Sequence, residues 1–241
     1  MASLPLVVTK ITTPRLRSDC LRRPRLTGLI HAHIERKLIL VSAPAGYGKT
    51  SLLIDYAHDA DLPVCWYSLD PSDNDARLFL EYLIASIERQ FPGFGTDALA
   101  LLREGPRGGL EPVVNLLINE IQERIHGHFV LIWDDFQEVA DNFPINALVS
   151  RFLHYLPENC HLILSTRVRP SHLPLTALAA HQQMVALGAP DLCFTVAEIR
   201  KWAEQSYHVA LSDEQAAQVV ERSEGWIASI VLNTQVRCQD A

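Results

Sequence analysis

The residues with the clearest chemical signature run Ala43, Pro44, Ala45, Gly46, Tyr47, Gly48, Lys49, Thr50. They fit the spacing G-x-x-x-x-G-K-[ST], with Ala43 as the small residue at the first position. An apolar run, KLILVS over 37–42, precedes the loop, and TSLLIDYAHDA with helical spacing follows it. A tight glycine-containing turn between a strand and a helix N-terminus gathers backbone N–H groups into a concavity that favours phosphate. Gly46 and Gly48 let the backbone close around the anion. Lys49 is suited to the β- and γ-phosphates, and the Thr50 hydroxyl to Mg²⁺. Pro44, Ala45, Tyr47 and Ser51 complete the lining. A strand-to-helix turn that binds nothing is the competing reading, and the strand–loop–helix context speaks against it.

Two further strand ends carry compatible chemistry. FVLIWDD (129–135) is an apolar run ending in paired carboxylates. Asp134 is the candidate to hold Mg²⁺, directly or through water, and Asp135 the candidate to orient or deprotonate an attacking water. An aspartate reaches less far than a glutamate, so slow hydrolysis is expected. LILSTR ends in Ser165, Thr166 and Arg167, a polar cluster suited to sensing a γ-phosphate, with the Arg167 guanidinium matched to phosphate geometry. A surface ion pair is the competing role for Arg167. Asp70, in WYSLDPSDND, could position water or serve as an outer magnesium ligand; a cap and loop-solvating role competes.

These residues need a scaffold that brings strand ends together. Apolar runs at 37–42, 64–69, 129–135, 161–167 and near 182–187 alternate with helical patterns at 25–36, 76–91, 111–125, 147–156 and 171–180. That alternation predicts an α/β fold, a parallel sheet with helices on both faces. The stretch between 91 and 111, punctuated by PGFG and EGPRGG, reads as loop. After Asp191 only helices are expected, with capping boxes at Thr195/Glu198 and Ser212/Gln215.

Composition narrows the function classes. The 241 residues are 48% hydrophobic and 20% charged, which excludes disorder as the dominant state. The net charge is 21 − 28 = −7, the wrong sign for a chain that neutralises duplex phosphates, so no direct DNA binding by this chain is expected. LILV and FVLIW fall far short of the ~20 apolar residues that span a bilayer, and MASLPLVVTKITTPRLR does not read as a secretory leader. Cys20, Cys65, Cys160, Cys193 and Cys238 are odd in number and widely spaced, which predicts free thiols and a cytoplasmic protein without membrane contact. The ten histidines show no metal-ligand spacing.

In combination, TKITTPRL, LRRPRL, LVSAPAGYGKTSLL, CWYSLDPSDND, VLIWDDFQEV, LILSTRVRP, LCFTVAEI and SEGWIAS resemble the nucleotide-binding domain of the signal-transduction ATPases with numerous domains (STAND). Within that class they resemble the maltose-regulator branch of LuxR-type transcription activators. The resemblance implies a P-loop NTPase three-layer sandwich, its five-stranded parallel sheet ordered 5-1-4-3-2, with a small helical lid. It implies a basic N-terminal segment over 1–26 contributing to the nucleotide site, a core over 27–190 and a lid over 191–241 that looks truncated. It implies ATP/ADP with Mg²⁺ as cofactors, Arg23 on the adenine side, Lys49, Asp135 and Arg167 as catalytic candidates, Thr50 and Asp134 at the metal, and Gly225 and Trp226 in the lid helix. It also implies a nucleotide switch with slow hydrolysis that self-associates in its ATP state. A stand-alone ATPase or small-molecule kinase with productive turnover is the alternative. The winged-helix, sensor and DNA-binding parts of such regulators have no counterpart in these residues.

Overall fold

Leu38–Ser42 (β1), Val64–Ser68 (β2), Phe129–Asp134 (β3), Cys160–Thr166 (β4) and Met184–Gly188 (β5) form one sheet in the order β2-β3-β4-β1-β5. All the pairings are parallel, with Leu40 opposite Leu164 and Ala186, and Ile132 opposite Ile163. The computed structural model describes residues 5–17, 20–106 and 108–231. The sheet order is the expected one read from the other edge. β3 and β4 are buried throughout, which is why they read as continuous apolar runs instead of alternating ones.

The pleat sends alternate residues to opposite layers. Leu38, Leu40, Tyr67, Leu131, Trp133 and Leu164 pack beneath α3 (Ala76–Glu88), α4 (Thr96–Glu104), α5 (Glu111–Arg124), α6 (Phe143–Tyr155) and α7 (Leu175–Ala180). Ile39, Val41, Trp66, Val130, Ile132 and Ile163 face α1 (Pro24–Ala32) and α2 (Lys49–Asp59). After a single turn of helix, α8 (Ala189–Leu192), the chain forms α9 (Val196–Tyr207) and α10 (Asp213–Ser223). These helices build a third, small core from Leu21, Phe194, Ile199, Ala216 and Ile230. Both expected capping boxes are present, at Thr195/Glu198 and Ser212/Gln215.

Strand limits match the sequence reading within one or two residues, but five helices do not: α3 ends at Glu88, short of 91, and α7 starts at Leu175, past 171. α1 ends at Ala32, short of 36, and α6 starts at Phe143, ahead of 147. α4 occupies a stretch read as loop. Its N-cap is Gly95, whose φ of +77° suits glycine, and its first N–H groups are capped from afar. The buried Glu120 carboxylate accepts from Gly95 N at 2.7 Å and Ala98 N at 3.4 Å. A cap supplied from another helix leaves no local signature.

The cysteines described, Cys20, Cys65, Cys160 and Cys193, are free thiols. Cys238 and the segment beyond 231 lie outside the described residues. Among the described residues no helix is long and apolar enough to cross a membrane.

Candidate functional site

Parallel strands deliver their C-terminal ends to one edge, where Ala43, Asp70, Asp134 and Thr166 emerge. Between β1 and α2, Gly46 and Gly48 adopt φ of +81° and +76°, in the left-handed region that glycine tolerates without strain. This backbone makes the 43–48 turn a cradle that opens onto the N-terminus of α2. Lys49 is buried, and its Nζ donates to Ala43 O at 2.8 Å and Pro44 O at 3.1 Å. Burial lowers its pKa, and the negative charges of Asp135 and Asp134 only partly oppose that. The ammonium is thus held within the loop by weak neutral acceptors, a poor substitute for an anion.

Asp134, at the end of β3, is buried and accepts a hydrogen bond from the Ser165 hydroxyl on β4. Burial and the adjacent Asp135 raise its pKa, while the Ser165 and Thr50 hydroxyls and the Asp135 N–H favour the carboxylate. A buried carboxylate against the Thr50 hydroxyl is a hard-oxygen donor set of the kind Mg²⁺ takes. Asp135 leaves the strand with φ of +61° and ψ of +42°, a left-handed conformation that aspartate accepts better than most residues. Its N–H donates to Ser165 Oγ at 3.0 Å. The Arg167 side chain is half-exposed, 3.9 Å from Glu138, and close enough for its charge to act on Lys49. Thr166 turns its hydroxyl to Val168 O at 2.8 Å.

Sequence reasoning missed two features of this edge. Trp226 sits on the loop: its Nε1 donates to Ala45 O at 3.0 Å, and its ring stacks on Tyr47 at 6.5 Å between centroids. Ala228 N donates to Gly46 O at 3.3 Å, and a Cβ at Gly46 would fall within 2.6 Å of both Trp226 and Ala228. Gly225 and Trp226 lie in the turn after α10 and not in a helix, which corrects the expectation. Gly225, at φ of +70°, presses so close to Cys193 and Phe194 that a Cβ there would meet both within 3.0 Å.

Beside Gly48 and Ser51 opens a cavity of about 240 Å³, walled by Leu21, Leu52, Phe194, Trp202 and Ile227 and bordered by Arg23 and Asp55. Arg23, which the resemblance assigns to the adenine side, borders this cavity with its guanidinium already committed. Nε and Nη2 donate to the two Glu198 oxygens at 3.1 and 3.0 Å, Nη1 to Leu192 O and Nη2 to Cys193 O, each at 2.9 Å. Its plane lies 4.1 Å from the Phe194 ring centroid. Four of the five N–H groups of a guanidinium are therefore used, leaving Arg23 as a wall and clamp.

Asp70 takes the capping role: its carboxylate accepts from Ser72 N at 2.8 Å and pairs with Lys10 at 3.0 Å. Lys10, itself buried, bonds Asp73 at 2.5 Å and lies over the Tyr82 ring. The Asp-rich loop thereby anchors the N-terminal segment to the β2 edge.

No family model matches the chain. It is 30% identical over 227 residues to the HTH-type transcriptional regulator MalT of Yersinia pestis, and 30% identical over 228 residues to that of Yersinia enterocolitica. In both, the alignment covers 94% of this chain and 25% of the relative, so the chain spans about a quarter of the regulators it matches. Among solved structures, a STAND protein with a tetratricopeptide repeat sensor from Pyrococcus horikoshii superposes with a TM-score of 0.57 at 16% identity, covering 86% of this chain and 28% of that one. The ORC1 protein of Aeropyrum pernix, solved in complex with DNA, gives 0.50 at 15% identity over 90% of this chain and 62% of that one. At such identities the likeness shows the fold. Fold and sequence together give the chain a P-loop NTPase fold and a sequence similar to about a quarter of the length of MalT-type regulators.

Proposed function

We propose that this chain is an ATP/ADP-binding switch with slow, Mg²⁺-dependent hydrolysis, the regulatory NTPase module of a signal-responsive transcriptional activator in the cytoplasm. One observation carries the switch reading: Trp226 and Ala228 hydrogen-bond to the carbonyls of Ala45 and Gly46, inside the phosphate loop itself. Any rearrangement of that loop around phosphates would be felt directly by the helical segment. In this reading 27–190 is the core, 191–241 the lid, and 1–26 a strap between them.

Lys49 would exchange the carbonyls of Ala43 and Pro44 for phosphate oxygens, a stronger charge-assisted pairing. Backbone N–H groups from Ala45 to Ser51 would cradle the anion. Thr50 and Asp134 would hold Mg²⁺, which neutralises phosphate charge when bound. Asp135 would face the attacking water and Arg167 the γ-phosphate. The base would enter the 240 Å³ cavity between Leu52, Phe194 and Trp202, with Arg23 as its wall. Exposed Phe143, at the start of α6, and Val168, just after β4, would suit self-association in the ATP state. Denaturing freshly purified protein and identifying released nucleotide by chromatography is the direct test. Stoichiometric ADP or ATP supports the reading. A protein that is empty and shows no ATP or ADP binding in a calorimetric titration defeats it.

A further inference from the structure

Gln137 was not singled out by any motif, yet it joins the two strand ends that carry the candidate chemistry. Its Nε2 donates to Asp135 Oδ1 at 2.7 Å and to Glu138 Oε1 at 3.2 Å, while its Oε1 accepts from the Arg167 backbone N–H at 3.0 Å. The direction of the amide is fixed by its partners. Arg167 N–H can only donate, so the carbonyl must face it, and the two carboxylates can only be served by the NH₂ group. The Asp135 carboxylate therefore has one oxygen tied down, and its backbone is pinned separately by Ser165. Glu138, held by the same amide, is also the partner of the Arg167 guanidinium.

We propose that Gln137 is a positioning residue for the nucleotide chemistry. Its amide sets the rotation of the Asp135 carboxylate, and its carbonyl ties that setting to the end of β4 that bears Arg167. Hydrolysis then depends on a link between the acid that faces water and the strand that faces the γ-phosphate. Asp135 leaves β3 through a left-handed backbone conformation. It turns the side chain off the strand direction, toward the Gln137 amide that holds one of its oxygens. The inference rests on the hydrolytic part of the proposed function.

The test measures steady-state ATP hydrolysis and ATP affinity for the whole chain. Its variants are Gln137→Met, Gln137→Glu, Asp135→Asn and the Gln137→Met/Asp135→Asn pair. Gln137→Met keeps the side-chain length and loses every hydrogen bond. Gln137→Glu keeps an acceptor for Arg167 N–H but loses the donor to Asp135. A displaced catalytic group costs up to about 100-fold in rate, so both single variants are expected to lose about 10-fold or more in kcat with ATP affinity held within about twofold. Because Gln137 acts through Asp135, the pair is expected to be no slower than Asp135→Asn alone. Unchanged kcat in Gln137→Met overturns the proposal, as does a pair whose losses multiply or an affinity that falls in step with the rate. Full activity in Gln137→Glu would reduce the role to tethering β4 and overturn it too. A wild-type chain that binds ATP without hydrolysing it defeats the hydrolytic reading and the proposal together. Turnover that ignores Gln137 defeats the proposal alone.

Discussion

Replacing Glu198 by alanine removes the main polar tie between the N-terminal segment and the C-terminal helices. Four interactions go at once: two hydrogen bonds from Arg23 at 3.0 and 3.1 Å, the capping bond from Thr195 N at 3.0 Å, and a longer contact to Arg25 at 3.5 Å. The Arg23 side chain is only 7% exposed, so its charge cannot turn to water. Breaking one side of a buried pair costs about 3–5 kcal/mol, and loss of the cap adds to that. Arg23 keeps the carbonyls of Leu192 and Cys193 and the Phe194 face, which brings the sum back to about 3–4 kcal/mol. The small core of Leu21, Phe194, Ile199, Ala216 and Ile230 holds these helices to the rest, so the loss should appear there as local opening. Hydrogen exchange reads it directly: at 1.36 kcal/mol per decade, amides of α9 and α10 should lose about 100- to 1000-fold protection, while those of β1 and β4 stay unchanged. Replacing both partners, Arg23→Met with Glu198→Met, should recover much of the protection, since no charge is left buried. Unchanged protection in α9, or an equal loss across the sheet, would refute the clamp.

Lys49→Ala should abolish tight ATP binding in calorimetry while leaving the circular-dichroism spectrum intact, because the ammonium is bound only to two loop carbonyls. Asp134→Asn should leave metal-free nucleotide binding near wild type and remove the gain from added Mg²⁺, read by titration with and without the ion. Trp226→Ala forfeits one hydrogen bond to Ala45 and the Tyr47 stack, worth about 1–2 kcal/mol of docking, and limited proteolysis after α10 should accelerate by roughly 10-fold. Burial pushes the Glu198 pKa up, but the Arg23 hydrogen bonds, the Thr195 N–H and the charges of Arg23 and Arg25 bring it below its ordinary 4.5. A lowered carboxylate pKa stabilises the fold above 4.5, and the contribution is lost as pH falls through the folded value, so α9 protection should drop in acid below pH 4.5. His161, whose pKa burial lowers from 6.5, takes up its proton less readily in the fold than in the unfolded chain. Stability is expected to decline as pH falls below 6.5, and His161→Gln should flatten that part of a melting-temperature profile.

The phosphate loop and the ends of β1, β3 and β4 were legible in the sequence because their signals are local. A loop that must pass through left-handed φ values shows glycine at 46 and 48, and a strand covered on both faces shows an unbroken apolar run. The resemblance supplied the strand order, which no local pattern encodes. The expected residues did assemble at one sheet edge: Lys49, Thr50, Asp134, Asp135 and Arg167 all lie there. Tertiary structure decided which polar groups hold one another. Glu120 caps α4 from 25 residues away, Arg23 meets Glu198 across 175 positions, and Trp226 reaches Ala45 across 181. Gln137 is only two residues from Asp135, yet its significance depends on Arg167, 30 positions on and brought near by the pairing of β3 with β4. A hydrogen-bonding side chain carries no mark of its partner. The partner is fixed by which backbone segments the packed sheet and helices bring within about 3 Å, and that is a property of the whole fold.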